Sequence, residues 1–119
     1  MHGLTGERIL MRIHLGERDR FEGRPLYEAI VEFLRKNHCA GATVTRAIMG
    51  FGATARLHTD KVLRLSVDLP IIVECVDTEE KINEVLPALD KMIGGGLVTL
   101  EKVKVLVYRG EKGAGSGER

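Results

Sequence analysis

Two glycine-rich segments, Gly50-Phe51-Gly52 and Gly94-Gly95-Gly96, are the parts of this sequence whose residue types best suit chemistry. Glycine has no Cβ atom, so successive backbone N–H groups can approach a phosphate closely and form a concave set of donors. Each segment alone is weak evidence, because glycine also forms ordinary turns and helix ends. Neither segment fits a P-loop or the strand–GxGxxG–helix order of a dinucleotide site. Anion binding and plain backbone turns therefore remain alternative interpretations.

Catalytic and metal-binding patterns are weaker still. Ser66 near Asp68 has no neighbouring histidine that could act as a base, so we expect no enzyme. The histidines lack HxH or HxxxH spacing, and Cys39 and Cys75 form no CxxC motif, which predicts two buried free thiols and no metal site. Arg109 follows the last predicted strand, where it is either a phosphate ligand or an exposed terminal charge.

The composition limits the class of protein. A chain of 119 residues with 44% hydrophobic residues is long enough for one domain. Eighteen Lys and Arg against seventeen Asp and Glu give a formal charge of +1, and only 4% of residues are aromatic, so we expect no nucleic-acid partner. No window approaches the ~20 apolar residues of a membrane span, and the N-terminus does not resemble an export signal. We therefore expect a cytoplasmic protein without direct membrane insertion.

Hydrophobic periodicity predicts the element order β, α, β, β, α, β. The first helix follows Pro25 and ends before Gly41, and the second begins at Asp77, is kinked or broken at Pro87 and ends at the second glycine segment. Residues 53–67 have a weak pattern that predicts a mobile excursion or a ragged hairpin. The predicted strands span residues 9–15, 42–48, 69–76 and 97–108.

This order matches an α+β, ferredoxin-like βαββαβ sandwich, in which two helices cover one face of a four-stranded antiparallel sheet. We expect residues 1–8 to be a flexible N-terminus, residues 9–109 to form the domain and residues 110–119 to be a disordered tail. The second sheet face is left bare, and its expected apolar side chains are Leu10, Ile72, Val76, Leu106 and Tyr108. An apolar patch of this kind predicts self-association through the sheet.

Several runs together resemble a known family. The stretch from Gly41-Ala42-Thr43-Val44-Thr45 to Gly50-Phe51-Gly52, the run Ile93-Gly94-Gly95-Gly96 and the run Arg109-Gly110-Glu111 are similar to PII signalling proteins. HLGERDRFEGRPLYEAI, VTRAIMGFG, SVDLPIIVECVD and INEVL, within about residues 9 to 108, more closely resemble the PII-like domain-of-unknown-function family 190. The resemblance implies a homotrimer with adenine nucleotides between subunits, bound by Thr43, Met49, Gly50, Phe51, Gly52, Gly94, Gly95, Gly96, Leu97 and Arg109.

The resemblance also implies a type of activity. PII proteins carry a lysine where this chain has Leu97, so AMP or ADP is favoured over ATP as the ligand, because each further phosphate charge would lack a counter-charge. The implied role is non-catalytic signalling without a cofactor, in which the loop 53–67 is presented to an unidentified protein partner such as a transporter or an enzyme. A CutA-like metal-binding trimer is the alternative, with His58 and Cys39 as the residues to test.

Overall fold

The computed structural model describes residues 4–51 and 68–110. The predicted loop 53–67, together with Gly52 and most of the predicted tail, lies outside the described residues. The described elements, in chain order, are β1 Gly6–Gly16, β2 Arg20–Phe21, β3 Arg24–Pro25, α1 Leu26–Lys36, β4 Thr43–Arg46, β5 Pro70–Asp77, α2 Glu79–Met92 and β6 Leu97–Val105.

The main sheet is antiparallel, with strand order β4-β5-β1-β6. β1 is central and pairs with both β5 and β6, so that Gly16 lies opposite Pro70 and Gly6 lies opposite Val105. A split βαβ arrangement of this kind is the ferredoxin-like α+β fold, which confirms the predicted fold class. Of the helices in the described ranges, neither has the length and apolar character that crossing a bilayer requires.

The core lies between the sheet and the two helices. Alternate residues of β1 and β5 point to the same side, so every second side chain of each strand enters the core. Each fully buried aliphatic side chain contributes about 1.5–3 kcal/mol of transfer free energy, which makes this layer the main stabilising feature. The buried side chains are Met11, Ile13 and Leu15 in β1, Ile71, Val73 and Cys75 in β5, and Leu26, Ile30, Leu34, Ile82, Val85 and Leu89 in the helices.

The helix ends differ from the sequence prediction. α1 ends at Lys36 rather than near Gly41, because His38 adopts a left-handed φ of 65° and the N–H groups of His38 and Cys39 turn back to the carbonyls of Arg35 and Leu34. α2 is capped by Thr78 rather than Asp77, since the Thr78 hydroxyl accepts the N–H of Lys81 at 3.1 Å. α2 also runs past its internal proline to Met92, so of the kink or break predicted at Pro87 the break is wrong.

Three strand predictions also need correction. The segment between the first predicted strand and the first predicted helix contains the short hairpin β2–β3, in which Glu22 and Gly23 both have positive φ. β1 begins at Gly6, within the segment predicted to be a flexible N-terminus. β6 ends at Val105, so Leu106 and Tyr108 lie beyond the sheet and are not on its bare face.

Candidate functional site

The described part of the first glycine-rich segment, Gly50-Phe51, and the second segment reach the same end of the sheet. The N–H of Ala47 donates to the carbonyl of Pro70 at 2.8 Å, and a Cβ atom on Gly50 would lie 3.1 Å from Cγ of Pro70. A Cβ atom on Gly96 would lie 2.6 Å from the carbonyl oxygen of His14. Pro70 and His14 both belong to the end of the sheet where β1 finishes and β5 starts. The topology therefore places the two segments at one end, as candidates for one site.

The segments arrive at that end from opposite edges of the sheet. One segment follows β4 and the other precedes β6, and these are the two edge strands. Three interstrand spacings separate the edges, which is about 14 Å. In one protomer the two glycine-rich segments therefore lie on opposite sides of this end of the sheet, and the ends of β5 and β1 lie between them.

Gly94 and Gly96, in the second segment, have different surroundings. Gly96 has a φ of 156°, and any side chain there would collide with backbone, so the fold itself requires glycine. Nothing lies within 4 Å of a Cβ atom placed on Gly94. Open space at Gly94 leaves its backbone accessible to a ligand, whereas Gly96 mainly lets the turn pass close to β1.

Large apolar side chains surround the two segments. Met49 is 64% exposed, Phe51 is 73% exposed and Leu97 is 55% exposed. Ile48, which the sequence analysis did not select, is also strongly exposed. Apolar side chains clustered at this exposure are typical of a binding or assembly surface.

A groove of about 590 Å³ adjoins the second segment. It lies between the C-terminal half of α2 and the start of β6, and its lining is mostly apolar. The residues that line it include Leu86, Pro87, Ile93, Gly94, Gly96 and Val98. Periodicity could not reveal this groove, because it depends on how far α2 extends over β6.

One ion pair and one hydrogen bond fix the loop positions at the glycine end. Nη2 of Arg46 lies 2.8 Å from Oε2 of Glu17, and the N–H of Arg18 donates to Oδ1 of Asp68 at 2.8 Å. The first contact joins the end of β4 to the loop after β1, and the second joins that loop to the segment before β5. Since Arg46 is already paired, its charge is partly neutralised and less available to a phosphate.

Arg109 lies at the other end of the same protomer. The hydroxyl of Tyr108 donates to the carbonyl of Ala40 at 3.0 Å, and the N–H of Ala40 donates to Oδ2 of Asp77 at 2.7 Å. Asp77 ends β5 and Pro70 begins it, so these ends are about 24 Å apart. Arg109 therefore does not meet the glycine segments of its own chain.

Thr43 lies on the bare face of the sheet, next to a charged network. It pairs with Glu74, whose Oε2 accepts Nε–H of Arg12 at 2.8 Å, while Nη1 of Arg12 donates to Oε1 of Glu101 at 2.9 Å. The hydrogen bonds to Glu74 and Glu101 raise the pKa of Arg12. No local sequence pattern indicates this network, because its members are separated by 62 and 89 residues along the chain.

The described residues contain no set of metal ligands that would support the CutA-like alternative. Across residues 4–51 and 68–110, no three His, Cys, Asp or Glu side chains form a group that could hold a metal ion. Cys75 is buried, Cys39 is half-buried and both are free thiols. His58 lies outside the described residues.

Comparison with known proteins identifies the family. Residues 8–105 match DUF190, a family described as an uncharacterized ACR. This chain belongs to the DUF190 family. The DUF190 chain is 43% identical over 103 residues to a UPF0166 protein of Methanocaldococcus jannaschii, covering 86% of this chain and 93% of the relative. It is 41% identical over 97 residues to a UPF0166 protein of Aquifex aeolicus, covering 82% and 91%.

Solved structures share the fold of this DUF190 protein. A PII-like signalling protein from Thermus thermophilus superimposes with a TM-score of 0.58 at 20% identity, over 85% of this chain and 91% of the other. CPII from Thiomonas intermedia, whose structure contains ADP and bicarbonate, gives a TM-score of 0.62 at 17% identity, over 83% and 88%. The predicted relation to PII-like proteins of the DUF190 family is thereby confirmed.

Proposed function

We propose that this DUF190 protein is a PII-like signalling protein that binds AMP or ADP in clefts between the protomers of a homotrimer. The observation that carries the proposal is the convergence of both glycine-rich segments on one end of the sheet. Glycine-rich backbone of this kind suits a phosphate, and the structural relative CPII binds ADP. The binding residues named from the sequence stay a proposal, and Gly52 belongs to it although it lies outside the described residues.

The position of Arg109 supports a site shared between protomers. A phosphate held by backbone N–H groups gains most from a guanidinium, which can donate two hydrogen bonds at once. Arg109 lies near the Asp77 end of the sheet, away from the glycine segments of its own chain. It can join them only if a neighbouring protomer supplies it, and such a site is incomplete in a single chain.

The exposed surfaces of the protomer support self-association. All four residues of β4 and seven of the nine residues of β6 are exposed, although both edge strands carry apolar side chains. Exposed edges of this kind promote pairing with another chain. The bare face adds half-buried Leu10, Ile72 and Val76 around the Arg12 network. Covering these surfaces in a closed ring of identical protomers removes them from water.

Leu97 favours a ligand with few phosphates. It stands directly after the glycine turn and is exposed, so its side chain can contact the ligand but cannot neutralise charge. Each uncompensated phosphate charge that leaves water carries a desolvation penalty of several kcal/mol. AMP and ADP therefore suit the site better than ATP.

The signalling role follows from the same architecture. The segment 53–67 directly follows the first glycine segment in the sequence, so a bound nucleotide can bias how this segment is presented to a protein partner. We propose that the protein acts without catalysis and in the cytoplasm, the compartment in which AMP and ADP report energy state. The partner is a protein, such as a transporter or an enzyme.

Isothermal titration of the full chain with AMP, ADP and ATP tests the proposal. We expect one nucleotide per protomer, with ATP the weakest of the three. Arg109→Ala should weaken binding about tenfold or more, since a hydrogen bond to a charged group is worth about 1.5–3 kcal/mol. Arg35→Ala, at an exposed position near the end of α1, is the matched control and should bind like the parent chain. The absence of heat with all three nucleotides would overturn the proposal.

A further inference from the structure

The fold brings two distant cysteines together outside the proposed nucleotide site. Cys75 lies in β5, is 2% exposed and points into the core. Cys39 lies just beyond the end of α1 and packs, half-buried, against the same core cluster. The N–H of Ala40, which follows Cys39, donates to Oδ2 of Asp77, two residues after Cys75 in β5, and the two thiols influence each other's pKa. One thiol of the pair can therefore meet solvent while the other is shielded.

The backbone on either side of Cys39 is held to the elements around it. The N–H of Cys39 donates to the carbonyl of Leu34 at 3.1 Å, and Oδ2 of Asp77 accepts the N–H of Ala40 at 2.7 Å. Nζ of Lys81 donates to the carbonyl of Asn37 at 2.8 Å. These contacts join the segment to α1, β5 and α2, and they hold the backbone of Cys39 beside the end of β5 that carries Cys75.

The same segment contacts the residue that precedes Arg109. The carbonyl of Ala40 accepts the hydroxyl of Tyr108 at 3.0 Å. Ala40 is bonded to Cys39, and Tyr108 is bonded to Arg109. A single hydrogen bond therefore joins the Cys39 segment to the residue before Arg109.

We propose that Cys39 and Cys75 are a redox pair, which hydrogen peroxide converts into an intrachain disulfide. Burial raises the pKa of Cys39, so the thiolate that reacts is a small fraction of the molecules at neutral pH. This thiolate attacks peroxide, the O–O bond breaks, and Cys39 becomes a sulfenic acid while hydroxide leaves and takes up a proton as water. Burial raises the pKa of Cys75 to about 12, so its thiol gives up its proton only in this second step. The Cys75 sulfur attacks the Cys39 sulfur, the S–S bond forms, the S–O bond of the sulfenic acid breaks, and the departing hydroxide takes up the Cys75 proton as a second water. The two thiols are oxidised by two electrons, and the peroxide is reduced to two water molecules.

The disulfide changes the position of the Cys39 segment. An S–S bond is about 2.05 Å long, much shorter than a contact between two thiols that are not bonded, so bond formation draws Cys39 toward β5. Ala40 moves with it and the hydrogen bond from Tyr108 weakens. Provided that the proposed function holds, oxidation lowers nucleotide affinity by releasing Arg109.

The first test counts thiols and needs no nucleotide. Reduced full-length protein is treated with hydrogen peroxide, and its remaining thiols are then alkylated under denaturing conditions and weighed by mass spectrometry. We expect both thiols to be lost with a mass decrease of about 2 Da, reversed by dithiothreitol. Cys39→Ser and Cys75→Ala each leave one cysteine and should show no such loss, and Cys39→Ser keeps the core intact because Cys39 is the less buried residue.

Two outcomes of the first test overturn the redox pair. One is that both thiols survive peroxide, and the other is that Cys39 gains oxygen while Cys75 stays alkylatable. Nucleotide titration of oxidised and reduced protein then tests the coupling, with a loss of affinity of about tenfold expected on oxidation, as for the loss of one charged hydrogen bond. Tyr108→Phe should form the disulfide and yet show equal affinity in both states. Equal affinity in the two states of the parent chain would contradict the coupling, whereas no binding in either state would contradict only the proposed function.

Discussion

Single glycines in the second segment differ in what they do for the fold. Gly96→Ala should lower the free energy of unfolding by about 2 kcal/mol or more, because its Cβ atom would lie 2.6 Å from the His14 carbonyl, a backbone atom that cannot rotate away. Gly94→Ala is the matched control, since its Cβ atom meets open space. Urea unfolding of both variants measures the difference. Equal stability of the two variants would show that the backbone at Gly96 does not lie this close to β1.

The buried thiol of Cys75 makes stability depend on pH in the alkaline range. Burial first, and then the neighbouring Cys39 and Asp77, raise the pKa of Cys75 from 9.0 to about 12. The unfolded chain releases this proton near pH 9 while the folded chain retains it. The contribution of the Cys75 thiol to stability is therefore fully present below pH 9. Between pH 9 and 12 the free energy of unfolding falls by up to about 1.4 kcal/mol per pH unit.

Urea unfolding under reducing conditions at pH 8, 9 and 10 checks this dependence. Cys75→Ala should show a shallower fall above pH 9 than the parent chain, whatever its stability at pH 8. If the free energy of unfolding fell equally with pH in the two proteins, burial would not raise the pKa of Cys75.

At the scale of secondary-structure elements, the cap of α2 depends on one hydroxyl. Thr78→Ala should destabilise the protein by about 1 kcal/mol, because the N–H of Lys81 loses its acceptor. Thr78→Ser keeps the hydroxyl and should stay close to the parent chain. Thermal unfolding of the pair measures this, and a Thr78→Ser variant as unstable as Thr78→Ala would assign the loss to packing instead.

Periodicity predicted where most elements lie because it records which face of each element is buried. It placed α1, α2, β1 and β5 within a few residues, since Ile13, Val73 and Leu89 follow the strand and helix repeats of the core. It failed at the ends, where tertiary contacts decide. Asp77 has the side chain of a helix cap, yet its carboxylate accepts the N–H of Ala40 instead.

The candidate site was predictable only in part. The residue types of the glycine segments suggested a phosphate, but their common location depends on β4 and β6 being opposite edges of one sheet. The distance between Arg109 and those segments follows from the contact of Tyr108 with Ala40, which no local pattern encodes. The Arg12 network was missed for the same reason, since it joins three strands.

At the scale of the whole molecule, the bare sheet face should control assembly. Ile72→Lys should dissociate the proposed trimer, because it places a charge in the middle of a face that neighbouring protomers would cover. Asn83→Lys introduces the same charged side chain on the exposed surface of α2 and should remain assembled. Sedimentation velocity distinguishes these results. An Ile72→Lys variant that sediments like the parent chain would place the interface elsewhere.

A site shared between protomers is tested most directly by complementation between two defective chains. Gly94→Leu fills the open space of the glycine turn, Arg109→Ala removes the guanidinium, and each variant alone should bind AMP and ADP poorly. In co-expressed mixed assemblies of equal composition, about a quarter of the sites should combine an intact glycine turn with a neighbour's intact Arg109 and regain parental affinity. No recovery in mixed assemblies, or a parent chain that binds nucleotide as a lone protomer, would contradict the account.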